Sequence, residues 1–138
     1  MGCDINYVLE VNVDGRWIGI DSSIGYNTKM CYRNYSLFAE LASVRGESSR
    51  NRLPLDIPIT ASELTFFLKE QMKVYTYSHS YIAMNELIEI FIEKNLESEK
   101  LFSDYENFGW EKMVDYMFDF LPEFGSINDY RMIFWFDN

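Results

Sequence analysis

The chain has 138 residues, 48% of them hydrophobic and 17% aromatic. That length suits one domain, residues 1–138, and that composition excludes a wholly disordered chain. Acids number 22 and bases 12, for a net charge of −10. This argues against a general nucleic-acid binder, whose cationic surface must displace counterions.

The chain opens Met1-Gly2-Cys3-Asp4, without the basic and apolar regions of a signal peptide. No apolar run approaches the roughly 20 residues a membrane-spanning helix needs. Gly2 is followed by Asn6, where myristoylation favours Ser or Thr. Cys3 and Cys31 without an export signal point to reduced thiols in a cytoplasm.

From Cys3 to Val13 the odd positions are Cys3, Ile5, Tyr7, Leu9, Val11 and Val13, and the even ones include Asp4, Asn6, Glu10 and Asn12. A period of two predicts a strand with one apolar face. Asp14-Gly15 predicts a tight turn, and Arg16 to Ile20 the returning strand. Residues 21–32 read as loop. Arg33 to Val44 places Leu37, Phe38, Leu41 and Val44 on one helical face. Gly46, Pro54 and Pro58 exclude a regular element over 45–58. Thr60-Ala61-Ser62-Glu63 fits a capping box, and the helix after it is expected to bury Leu64, Phe67, Leu68 and Met72. Tyr75 to Tyr81, with the only histidine, reads as loop. Met84 to Leu96 predicts a helix with Leu87, Ile88 and Phe91 inward. A capping box at Ser103-Asp104-Tyr105-Glu106 opens a helix to about Leu121, and Arg131 to Phe136 is a β-prone closing strand. The expected class is α+β: a small antiparallel sheet, made of the N-terminal hairpin and the C-terminal strand, packed with about four helices.

Two constellations could carry function. If the first and last strands pair antiparallel, Asp137-Asn138 arrives beside Cys3 and Asp4. With His79 brought to the same edge, Cys3, Asp4, His79 and Asp137 form a ligand set that suits one zinc ion. No CxxC or HExxH motif accompanies it, and the competing reading is a small buried Cys3 and a hydrogen-bonded loop His79. A Cys3–His79 thiolate pair is a weaker alternative, because Cys3 does not open a helix.

The second constellation is acidic. Residues 1–85 are nearly neutral, while residues 86–138 hold thirteen acids and four bases. Glu86, Glu89, Glu93 and Glu97 recur on one helical face, and Glu111, Asp115 and Asp119 on the next. Like charges at that spacing oppose the helix by a few tenths of a kcal/mol per pair. A one-signed face invites a cationic partner; the plain alternative is a solubility face. Arg45, Arg50 and Arg52 could grip an anion, or pair with the acidic half. Core packing explains the aromatic runs Tyr75-Thr76-Tyr77 and Phe134-Trp135-Phe136 better than base stacking does.

Several motifs occur in a specific order: Met1-Gly2-Cys3-Asp4-Ile5, Arg33-Asn34-Tyr35-Ser36-Leu37-Phe38-Ala39, Val44-Arg45-Gly46, Leu53-Pro54-Leu55-Asp56, Ser78-His79-Ser80 and Phe134-Trp135-Phe136-Asp137-Asn138. Over nearly its whole length the chain resembles a family of small phage and prophage proteins. Its members open MGCDIH, carry RNYxLFAxLAxVR and then HSxSW, and close on FxFDN. The resemblance implies a metal centre built from Asp-x-His on the first strand and the histidine-serine segment. Here Asn6 and Tyr77 stand where the family has histidines, and Tyr81 where it has Trp, which removes two imidazoles and leaves Asp4, His79 and Asp137.

A phage setting implies an inhibitor of host defence, of the anti-CRISPR kind. The leading expectation is a binding protein that docks its acidic face on a basic surface of a Cas9-like effector in the bacterial cytoplasm. It would contact no nucleic acid or membrane directly, and a structural zinc would hold the fold. The alternative is a metal-dependent hydrolase acting on a nucleotide or nucleotide signal, with Asp4 or Asp137 as ligand or base. A third reading is an accessory phage protein with a purely structural contact.

Overall fold

The computed structural model describes residues 2–23, 33–98 and 125–138, with the side chains of 94–98 excepted. Four strands form one antiparallel sheet: β1 (Asp4–Val13), β2 (Arg16–Ser22), β3 (Thr76–Ala83) and β4 (Tyr130–Asp137). Their order is β2-β1-β4-β3. Among the described residues three helices accompany them, α1 (Tyr35–Ala42), α2 (Glu63–Gln71) and α3 (Met84–Ser98), with a 3-10 turn at Ile127–Asp129 before β4. This is the α+β class that the strand and helix patterning predicts. The expected helix over 103–121 lies outside the described residues, as does Cys31.

The hairpin forms as its sequence requires. Asp14 and Gly15 both take positive φ, 53° and 83°, which is the two-residue turn whose twist matches the flanking strands. Leu9 pairs with Asp21 but Glu10 with Gly19, so Ile20 is an extra residue bulged out of β2. β1 and β4 pair along their length, from Asp4 opposite Asp137 to Val11 opposite Tyr130.

Strand alternation divides the side chains between two faces. Cys3, Ile5, Tyr7, Leu9 and Val11 of the first strand, with Tyr130, Met132, Phe134 and Phe136 of β4, enter the main core, which α1 and α3 close with Leu37, Phe38, Leu41, Leu87, Ile88 and Phe91. The opposite face holds a smaller cluster of Val8, Ile133 and Trp135, against which Leu64, Leu68 and Met72 of the α2 region and Ile57 pack. The central strand β4 is therefore covered on both sides, and this is why its apolar run is continuous rather than alternating.

Three expectations are corrected. Residues 76–83 are a strand, not a loop: β3 pairs with β4, and its register shifts between Tyr77 and Ser80, around Ser78 with φ 51°. The bulge and the serines mask its alternation in sequence, and the buried Ser80 hydroxyl is satisfied by the Leu55 N–H at 3.1 Å. Second, α2 is capped by Ser62, whose hydroxyl accepts the Thr65 N–H, and not by Thr60. Third, Phe67 is 58% exposed. Leu64 and Leu68, four residues apart, occupy the stripe over the small cluster, and Phe67 falls outside it.

Candidate functional site

The end of the sheet where the first and last strands meet gathers polar groups on both faces. On one side Asp4 and Asp137 are direct cross-strand partners. Like charges so placed repel. Each is held: Arg33 grips Asp4 with Nε on Oδ1 at 2.6 Å and Nη2 on Oδ2 at 3.2 Å, a two-pronged fork, and the Asn6 amide donates to Asp137 Oδ2 at 2.7 Å. His79 stays on this side, its ring 6.2 Å from that of Trp135 and its Nε2 3.0 Å from the Thr76 hydroxyl. Burial first, and then the positive charge of Lys69, lower the His79 pKa, with Asp56 opposing.

On the other side Cys3 is wholly buried. Its N–H donates to the Tyr35 hydroxyl at 3.1 Å, and its sulfur lies 3.1 Å from the Tyr77 hydroxyl. Tyr77 gives its single proton to Asn138 Oδ1 at 2.9 Å, so the thiol is the donor to Tyr77. Burial, followed by the bond to Cys3, pushes the Tyr77 phenol up to about 12, and it stays protonated at neutral pH. Arg45 sits over the Tyr35 ring at 5.1 Å.

The four expected zinc ligands are thus divided. Asp4 and Asp137 are brought together. Cys3 lies across the sheet from them, as the period of two puts adjacent residues on opposite faces. His79 is occupied by Thr76, and among the described residues no three of His, Cys, Asp or Glu converge as a metal group. The Cys3–His79 nucleophile reading fails for the same reason: the thiol faces the main core and the imidazole the small cluster. Arg33 and Tyr77 organise the two sides, a role that neither the motif opening at Arg33 nor the replacement of a family histidine by Tyr77 indicates. The forced meeting of Asp4 and Asp137 is the signal that a cation was needed nearby.

The acidic face of α3 is not one-signed. Arg50 reaches Glu93 at 3.0 Å and Glu89 at 3.7 Å, and Arg52 reaches Glu86 at 3.0 Å. Of the two readings of the middle-loop arginines, pairing with the acidic half holds for Arg50 and Arg52. Arg52 also donates to the carbonyls of Leu41, at 3.0 Å, and Tyr81, at 2.7 Å, so it ties α1, β3 and α3 together. Glu86 is therefore a structural partner. The Glu89 and Glu93 side chains keep 65% and 57% of their surface exposed. Glu97, Glu111, Asp115 and Asp119 lie outside the residues whose side chains are described.

Beneath α2 is a polar network that the sequence reading did not anticipate. Glu10, fully buried, receives Arg131 Nε at 2.7 Å on one oxygen, and the Ser62 N–H at 2.6 Å and Thr65 hydroxyl at 2.7 Å on the other. The Arg131 guanidinium lies 3.8 Å from the centre of the Trp17 ring, and both its terminal nitrogens approach the Thr60 hydroxyl. An open groove of about 520 Å³ runs beside it, between Gly15–Gly19 and Thr60–Leu64.

Among the described residues no helix is long and apolar enough to cross a membrane. Comparison with protein-family models, curated proteins and solved structures finds no match for this chain.

Proposed function

We propose that this protein acts by binding: the acidic face of α3 docks on a cationic surface of a partner protein. The observation that carries the reading is the exposure of Glu89 and Glu93, each more than half open although Arg50 spans them. The charge distribution supports it, since residues 86–138 carry nearly all of the net −10. Carboxylates so displayed can occupy a groove shaped for phosphates. Joined to the resemblance to phage proteins, the reading becomes an inhibitor of a host defence nuclease, with a Cas9-like effector as the partner. Surface plasmon resonance against such an effector, with and without guide RNA, tests it. The double variant Glu89→Lys/Glu93→Lys weakens binding tenfold or more, and wild-type affinity falls steeply as salt rises, because exposed charges are screened over about 8 Å at physiological ionic strength. Binding indifferent to salt and to charge reversal would refute it.

The second reading, a metal-dependent hydrolase of a nucleotide, rests on the cross-strand pairing of Asp4 and Asp137. Nucleotide hydrolysis by untagged protein, with and without added zinc and beside an Asp137→Asn variant, separates the two. Zinc-dependent turnover, lost in the variant, favours the enzyme.

A further inference from the structure

The segment after Arg52 reads Leu53-Pro54-Leu55-Asp56, and the fold leaves its leucines outside: Leu53 is 66% exposed and Leu55 55%. The backbone that carries them is nevertheless held at both ends. The Ser43 hydroxyl donates to the Arg52 carbonyl at 2.7 Å, the Leu55 N–H to Ser80 Oγ at 3.1 Å, and the Asp56 N–H to the His79 carbonyl at 2.7 Å. Pro54 fixes its own φ. Leucines on a backbone so tied have little main-chain freedom to lose when they are covered.

A single exposed leucine is ordinary; what marks this pair is its place. Arg50 reaches Glu89 and Glu93, and Arg52 reaches Glu86, so residues 50–52 lie along the acidic face of α3. Leu53 is the next residue, and successive Cα atoms are about 3.8 Å apart. The apolar pair therefore continues the surface on which the Glu89 and Glu93 side chains stay more than half exposed. Charge decides which partner fits that combined surface. A second copy in a two-fold contact would set these glutamates against their own equivalents, and like charges repel. Anionic headgroups and nucleic-acid phosphates are repelled in the same way. A cationic protein surface bordered by an apolar recess meets both halves.

We infer that Leu53 and Leu55 are the apolar anchors of the α3 interface, and that the partner offers an apolar recess beside its cationic patch. This rests on the binding reading above. Exposed carboxylates govern encounter and salt dependence, and covered apolar anchors govern dissociation. The test is surface plasmon resonance against the same Cas9-like effector, with both rate constants resolved over a salt series. Leu53→Ala/Leu55→Ala keeps the charge. It raises the dissociation constant about tenfold through faster dissociation, while the association rate and the salt slope stay at wild-type values. Leu53→Met/Leu55→Met recovers most of the affinity, and both variants melt with the wild type because neither leucine is buried. Glu89→Lys/Glu93→Lys instead slows association and flattens the salt slope. If the alanine variant dissociates like the wild type while charge reversal weakens binding, the anchors are refuted and the acidic-face reading stands. If the alanine variant weakens binding and charge reversal does not, the acidic-face reading fails and the combined surface with it. An effector that does not bind the wild type overturns both.

Discussion

Glu10 and Arg131 face each other across β1 and β4, 121 residues apart in sequence, in an ion pair of 2.7 Å with the carboxylate wholly buried. The pair sits on the face opposite the main core and is fastened to the α2 N-terminus through Ser62 and Thr65. A buried ion pair gives little net stability compared with an apolar replacement, because desolvation offsets attraction. Breaking it on one side is another matter. We expect Arg131→Met to cost about 3 to 5 kcal/mol, as it strands the Glu10 charge, and Glu10→Gln/Arg131→Met to recover a measurable part. Urea denaturation of the three proteins checks this.

Arg52 donates to Leu41, Tyr81 and Glu86. Arg52→Ala leaves two carbonyls and a carboxylate without that donor, with an expected loss of about 2 to 3 kcal/mol. Arg52→Lys should recover less than half, because an ammonium cannot reproduce the planar fork. Thermal melts decide it.

Gly19 is where β2 and α2 come closest. A Cβ there would lie 2.6 Å from Leu64 Cβ and 2.7 Å from its Cδ2. Gly19→Ala is expected to destabilise by about 1 to 3 kcal/mol through overpacking. Adding Leu64→Ala should cancel part of the loss, and a double-mutant cycle in urea measures the coupling.

His79 makes stability depend on pH in one direction. Its pKa is lowered by burial and by Lys69, so the unfolded chain binds its proton more readily than the folded one. The contribution is fully present above the unfolded value of about 6.5 and is lost as pH falls below it, through the lower folded value. Between pH 7 and 5.5 the wild type should lose more stability than His79→Gln. Equal slopes in denaturant titrations would show that His79 is not responsible.

The candidate site was half legible in the residues. Two β-prone ends make pairing of the first and last strands a condition to be met and no more; the fold meets it and brings Asp4 to Asp137. The same period of two that predicts the strand also places Cys3 with the apolar positions, opposite Asp4. Arg33 was not legible as the clamp on Asp4, because it precedes α1 and arrives only when that helix docks.

Short-range patterns by themselves determined the elements whose evidence is local. The turn at Asp14-Gly15 needs only positive φ at two residues, and α3 needs only the recurrence of Leu87, Ile88 and Phe91. Tertiary structure decided the rest. β3 is a strand because β4 and the backbone near Asp56 supply its hydrogen bonds, including the Asp56 N–H to the His79 carbonyl at 2.7 Å. Glu10 is buried because a cation from the other end of the chain meets it. Phe67 is exposed because Leu64 and Leu68 are the α2 side chains that pack on the cluster beneath the helix, and Phe67 falls outside their stripe. Each outcome turns on a partner distant in sequence, which no window of neighbouring residues contains.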